Sequence, residues 1–461
     1  MVAFTGILLG MVSSIIMQTI LATVLPGVVK DLGGAYLYSW VFSGYLIAST
    51  ITIPIFAKLA DLYGRKRFYL GGMVVFLAGS ALSGTANSMD QLVIYRVVQG
   101  LGAGALAPAA IAMISDLFPI KDRGKMMGML AIVQVLANVA GPLVGGLIAD
   151  NLSWQWAFWA NIPMGLLAII IVAVGFAETA NGSLQTNLGQ VDFTGGFLLG
   201  VAIVLLIQGF KMIETRGLIH MQTGLILLLA AFIFSVFLWQ EKKHSDPVVS
   251  SDLIATKNVK ISLVSTFLLG AMMYGAIVVL PIYGRLILGE TAMQGGKLLL
   301  PFALGLGLGG ILSGKLAQKF SYANLVVGGW AVTTVGFIML ALSSRLELIY
   351  YPLAGMVFVA GIGLGVIFPT LLLSGQNAVA ENQRAVVGGL VQISRNLGGA
   401  IGIPAFTGFI APTGGKIIGA TGSSSFLTLF LLLSMGSAVG VAVGLRFKGS
   451  IYTDHKAQIK Y

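Results

Sequence analysis

The sequence predicts an all-α membrane protein of fourteen transmembrane helices, two bundles of six with two more helices between them. Three observations lead there. Of the 461 residues 57% are hydrophobic and 9% charged, with a mean hydropathy of +0.94, whereas a soluble domain carries about 25% charged residues. Apolar runs of membrane-spanning length recur along the whole chain, and several groups of residues repeat at one fixed spacing. So few charges cannot cover a water-facing surface, which excludes a soluble globular protein, a disordered chain and a nucleic-acid-binding domain. The net charge of +11 is then a matter of membrane topology. Cysteine is absent, which excludes disulfides, thiolate nucleophiles and cysteine-based metal centres. His220, His244 and His455 are scattered in polar segments, so no metal site and no cofactor is expected.

A helix needs about 20 apolar residues to cross about 30 Å of hydrocarbon. The first six spans are placed at Ala3–Val29, Leu37–Ala60, Phe68–Ala86, Leu92–Leu117, Met126–Ala149 and Trp154–Ala177. The first lacks a small-residue cleavage site and is expected to be a retained signal anchor. A central pair follows at Phe193–Met212 and Leu218–Trp239. The last six are Val259–Leu286, Gly295–Ala317, Ala323–Leu342, Ile349–Leu373, Ala385–Ile410 and Phe426–Leu445. The runs are continuous rather than alternating, which favours helices over a barrel. This divides the chain into an N-terminal bundle (1–180), an inserted pair with its loop (181–258) and a C-terminal bundle with a short tail (259–461). No Walker sequence is present, so ATP is not a direct energy source within this chain. No clustered nucleophile, base or metal set suggests an enzyme.

Lysine and arginine set the orientation. With both termini inside, cytoplasmic loops receive Arg65, Lys66, Arg67, Lys121, Arg123, Lys125, Lys242, Lys243, Lys257, Lys315, Lys319 and Arg384. The outer side receives only Lys30, Lys211, Arg216, Arg285, Lys297, Arg345 and Lys416.

The repeat is visible in glycines. Gly100, Gly102, Gly104 and Pro108 recur as Gly361, Gly363, Gly365 and Pro369, an offset of 261 residues that also relates Arg123 to Arg384, Gly128 to Gly389 and Gly141 to Gly402. Lys58-Leu59-Ala60-Asp61 has a near match in Lys315-Leu316-Ala317-Gln318. One small-residue pattern is weak evidence; several at one offset imply two bundles of common ancestry. Such paired bundles are expected to hold substrate near mid-membrane and rock around it. The second half has Gln318 for Asp61, Val357 for Arg96 and Ile403 for Pro142, so coupling and gating are expected to sit in the first.

At these residues the sequence resembles the major facilitator superfamily, in particular its fourteen-helix drug:proton antiporter branch of QacA/EmrB-like transporters. Lys58-Leu59-Ala60-Asp61-Leu62-Tyr63-Gly64-Arg65-Lys66 resembles the superfamily's loop motif, with Ala57 where glycine is usual. Arg96-Val97-Val98-Gln99-Gly100-Leu101-Gly102-Ala103 resembles the span-four motif, and Gly141-Pro142-Leu143-Val144-Gly145-Gly146 the span-five antiporter motif. Trp40, Tyr45, Trp154 to Phe158, Asn161 and Pro163 are similar to branch-typical stretches. The chain departs from the branch at Met17, where an aspartate is frequent, and at Arg395 and Asn396, where relatives can carry acids.

The resemblance implies proton-driven export of amphipathic, often cationic or zwitterionic, drugs, dyes or biocides. The alternatives are a narrow exporter (tetracycline–metal or metabolite:proton) or a lipid flippase. Protons are the coupling ion, and membrane lipids and small molecules the partners. Nucleic acid is not one, and the chain is expected to act as a monomer in a bacterial inner membrane. Asp61, Gly64, Arg65 and Arg123 are candidates for a cytoplasmic latch, with Asp61 pairing with Arg123 near the start of span thirteen; Lys66 and Arg67 fit a solvated topology signal. Arg96, an ionic group in an apolar span, either serves proton coupling and cavity polarity or snorkels to the interface. Gly141, Pro142, Gly145 and Gly146 form a hinge and seal, or a plain packing surface. Asp150, Asp61 and Arg96 are the proton-coupling candidates, with Glu290 a weaker one; burial would adapt Asp150 to that task, and its other reading is an ordinary loop aspartate at the interface. Met17, Gln18, Tyr45, Gln99, Gln134, Asn138, Gln392 and Asn396 are expected to line the cavity or to bond helix to helix.

Overall fold

The computed structural model describes residues 2–118, 120–177, 193–216, 220–243, 255–287, 297–317, 319–344, 350–379, 383–407 and 423–447. Among them lie fourteen long helices and no strand. These are α1 (Val2–Leu32), α2 (Tyr38–Tyr63), α3 (Arg65–Ser83), α4 (Met89–Leu117), α5 (Ile120–Asn151) and α6 (Asn161–Gly175), then α7 (Phe193–Arg216) and α8 (Met221–Lys243). The remainder are α9 (Lys257–Ile287), α10 (Leu299–Leu316), α11 (Tyr322–Ser343), α12 (Tyr350–Asn377), α13 (Arg384–Thr407) and α14 (Ser423–Gly444). Nine spans among the described residues are long and apolar enough to cross a membrane by those criteria alone. Charged and amide side chains lower the hydropathy of helices such as α3 and α13.

Hydropathy placed the helix bodies and missed their polar first turns. Helix α4 begins at Met89 because Ser88 caps it, Oγ accepting the Gln91 N–H at 3.3 Å while Gln91 Oε1 accepts the Asn87 N–H at 2.9 Å. Ser321 caps α11 in the same way through the Asn324 N–H at 3.2 Å. The sixth span is a turn at Trp156–Trp159 followed by α6. Gly33 and Gly34, at φ +69° and +64°, reverse the chain between α1 and α2, a conformation open to glycine at little steric cost.

Packing divides the chain into two compact units, Met1–Ser250 and Ser251–Tyr461. In the first, α4 packs between α2 and α3, α1 packs against α5 and α6, and α7 pairs with α8. Gly196 and Gly200 of α7 face Ile55 and Ile51 of α2, which attaches the inserted pair to this unit. Much of α8 is left uncovered, with Met221, Leu228 and Phe232 more than 60% exposed, as suits a lipid-facing helix. In the second unit α12 packs between α10 and α11, α9 against α13, and α14 against α11 and α9. The two units thus share one packing plan. The expectation that the second half lacks the α5 proline needs correcting: α13 contains Pro404, one position beyond the match to Pro142.

Candidate functional site

The glycines of α4 let backbones meet. A Cβ on Gly100 or Gly104 would collide with the backbone of α2 at Tyr45 or Ser49, and one on Gly102 with the backbone of α3 at Gly72 and Phe76. Just before this ladder lie Arg96 and Gln99, both 0% exposed. Arg96 does not snorkel. Its Nε donates to the Val41 carbonyl at 3.2 Å, its Nη1 donates to Gln99 Oε1, and its guanidinium sits 4.3 Å from the centre of the Tyr45 ring. Tyr45, also buried, shares a hydrogen bond of 3.0 Å with Ser14 Oγ of α1. Among the described residues Arg96 Nη2 and Gln99 Nε2 have no hydrogen-bond partner, and no carboxylate reaches the arginine. Three expected residues, Tyr45, Arg96 and Gln99, therefore form one cluster.

A second cluster was only partly foreseen. Asn161 accepts from Ser13 Oγ at 3.0 Å and donates to Met17 Sδ at 2.8 Å. Met17 is fully buried here, where a branch aspartate would stand, and Gln18 beside it is half-buried.

At the α1–α5 seam, an added Cβ on Gly141 would strike Thr19 Oγ1, and one on Gly145 would strike Thr23 Oγ1. Both threonines turn their hydroxyls back onto their own helix, to the Ile16 and Ile20 carbonyls at 3.0 and 2.7 Å. Pro142 and Gly146 are buried beside them. Thr19 and Thr23 were missed, although their four-residue spacing matches that of the two glycines.

The loop after α2 turns on Gly64, at φ +105°. Arg65 then pairs with Asp116 of α4 at 2.6 Å and donates to the Ala112 carbonyl at 3.1 Å. Asp116 was not anticipated. Lys66 is more than a topology signal: its Nζ donates to the Phe176 carbonyl at the end of α6, at 2.7 Å, where a cation suits the helix dipole. Asp61 lies in α2 and Arg123 in α5. Their side chains, with those of Gln134 and Asn138, lie outside the described residues, as does all of Glu290. Asp150 is exposed near the end of α5, without the burial that would adapt it to proton carrying. In the second unit Gln392 donates to the buried Asn396 at 3.1 Å, and Arg395 lies 4.5 Å from the Phe368 ring centre.

Two units of one packing plan, with backbones meeting at glycines and polar groups buried mid-helix, are those of a multi-pass membrane protein. The family model described as Major Facilitator Superfamily matches residues 7–403, and the chain belongs to that superfamily. It is 34% identical over 403 residues to the multidrug transporter protein MdtP of Bacillus subtilis (strain 168), covering 87% of this chain and 73% of that one. It is 33% identical to multidrug resistance protein 3 of the same strain, covering 87% and 78%. A solved bacterial homologue of the human lysosomal transporter Spinster, inward-facing and unoccupied, superposes with a TM-score of 0.64 at 17% identity, covering 96% of this chain and 97% of that one; this likeness concerns the fold. The family is one of transporters, not enzymes, and MdtP is named a transporter.

Proposed function

We propose that the protein is a proton-coupled multidrug efflux antiporter of a bacterial plasma membrane, exporting amphipathic molecules by alternating access with both termini in the cytoplasm. The carrying observation is the α1–α5 seam. There an antiporter-type Gly-Pro segment is pressed onto α1, in a chain about one-third identical to two proteins named for multidrug transport or resistance. A close seam suits an exchanger, which must not leak protons while it turns over. One elementary charge crossing the membrane is worth about 2.3 kcal/mol per 100 mV. Exchanging one proton for a neutral solute would thus sustain roughly a fiftyfold gradient at that potential.

Arginine keeps its charge at any physiological pH, so in this reading Arg96 biases the coupling while a carboxylate, Asp150 or Asp61, carries the proton. Everted vesicles test the proposal. On energisation they should acidify, and adding a dye, quinolone or biocide should dissipate part of the pH gradient. Asp150→Asn and Asp61→Asn should each be assayed, and at least one should abolish the response. A gradient indifferent to every compound in the wild type would sink the proposal.

A further inference from the structure

Each described unit carries one arginine deep inside a helix, Arg96 in α4 and Arg395 in α13. The described carboxylate side chains lie near helix ends: Asp31, Asp90, Asp116, Asp150 and Glu241. Among the described side chains the fixed charge deep within the helices is thus positive. At Arg96 the imbalance is sharpest. Its guanidinium is fully buried, with a carbonyl, an amide oxygen and an aromatic face as its contacts and no anion among them. The bond from Nη1 to Gln99 Oε1 joins two planar groups, and each retains a buried donor without a partner, Nη2 on the arginine and Nε2 on the glutamine. Leaving buried donors unpaired is costly, more so on a charged group. Two unpaired donors beside a net positive charge are the kind of groups from which the two oxygens of a carboxylate accept hydrogen bonds.

Helix packing does not require this pair. In the repeat, Arg96 corresponds to Val357 and Gln99 to Ala360, both 0% exposed, and Ala360 meets Gly336 of α11 as Gln99 meets Gly79 of α3. The same helix contact is made with apolar side chains. Met17 points the same way: a buried thioether bonded to Asn161 offers no counter-charge for a cationic cargo.

We infer that Arg96 and Gln99 form a carboxylate-binding site for the transported molecule, so that the preferred cargo is an amphipathic acid or zwitterion rather than a simple lipophilic cation. The inference rests on the export reading and narrows its substrate class. Tyr45 is stacked on the guanidinium and bonded to Ser14; on this inference cargo gains the buried donors only in a state of the cycle in which that packing is loosened. A consequence is electrical. Exporting a monoanion against one incoming proton moves two elementary charges per cycle, whereas exchanging a monocation for a proton moves none.

The test compares a dansyl-labelled long-chain carboxylate with its methyl ester, on purified full-length protein in detergent and in proteoliposomes. The wild type should bind the acid about tenfold or more tightly than the ester. In Arg96→Val/Gln99→Ala, which copies the residues of the α12 register and should fold, that preference should vanish while ester affinity holds. Arg96→Lys should keep part of it. Transport of the acid should be electrogenic. Equal binding of acid and ester by the wild type, or a preference that survives the double variant, overturns the inference. So does an Arg96-dependent response to chloride over gluconate without acid–ester discrimination, which would mark an inorganic anion site. Proton-driven export of tetraphenylphosphonium keeps the two readings separable. If it persists while acid and ester behave alike, the carboxylate site falls and the export reading stands; if nothing is exported, both fall.

Discussion

Helices α4 and α12 occupy the same place in their respective units and use the same device to get there. On α4, Gly100, Gly102 and Gly104 meet α2, α3 and α2 in turn; on α12, Gly361, Gly363 and Gly365 meet α10, α11 and α10. Pro108 and Pro369 follow at equal distance. One turn before the ladder the likeness ends, with a buried arginine and glutamine on α4 and a buried valine and alanine on α12. The comparison separates two kinds of information in one motif. Glycine at alternate positions sets how closely backbones approach, while the side chains ahead of it determine what chemistry the seam can do. The second can be erased without disturbing the first.

Transplanting the charge should break the symmetry most severely. Val357→Arg puts a guanidinium where Ala360 offers no amide oxygen, and it should cost about 3 kcal/mol, the scale set by mid-helix arginine. Adding Ala360→Gln should recover part of that loss. Thermal unfolding in detergent would measure both. A neutral Val357→Arg would show that α12 has polar partners unlike those seen here. The glycine ladders should respond alike: Gly102→Val and Gly363→Val each drive a side chain into the backbone of the neighbouring helix, at α3 and α11. Each should destabilise its unit by about 2 kcal/mol. A large difference between the two would mean that the ladders are equivalent in spacing but not in tightness.

Much of this was legible from the residues because lipid leaves few choices. Apolar runs of sufficient length must be helices, and a glycine pattern repeated at one offset must be a repeated contact. Arg96 stood out as a charge in an apolar run, and its helical neighbour Gln99 follows from three-residue spacing. Tyr45 as the stacking partner does not follow, since it comes from another helix, 51 positions earlier, and depends on how α2 docks. Asp116 was hidden for the same reason. It lies 51 residues after Arg65, and counting charges by loop assigns both to one side without pairing them. The break at Ala160 was hidden because hydropathy does not register a one-residue interruption of a helix when the side chains around it remain apolar. Thr19 and Thr23 were within reach, since their spacing mirrors that of Gly141 and Gly145.

The smallest expected effect concerns the loop that the second unit does not copy. Arg65 and Asp116 are each about 30% exposed, so water screens their attraction, and such pairs contribute about 0.2–1 kcal/mol. Asp116→Asn should therefore lower the unfolding temperature only slightly. An ion pair this weak still matters if it forms in one state of the transport cycle and not in another. A bias of about 1 kcal/mol changes the ratio of two states roughly fivefold. Asp116→Asn should accordingly alter the accessibility of cysteines placed on the half of α2 next to Gly64 more than it alters stability, a placement made easy because the chain contains no cysteine. Lys66→Gln is the control, because its bond to the Phe176 carbonyl joins α3 to α6 at a helix end. If both substitutions shift accessibility equally, the pair has no special link to the cycle, and the loop serves only to fasten α3 to its neighbours.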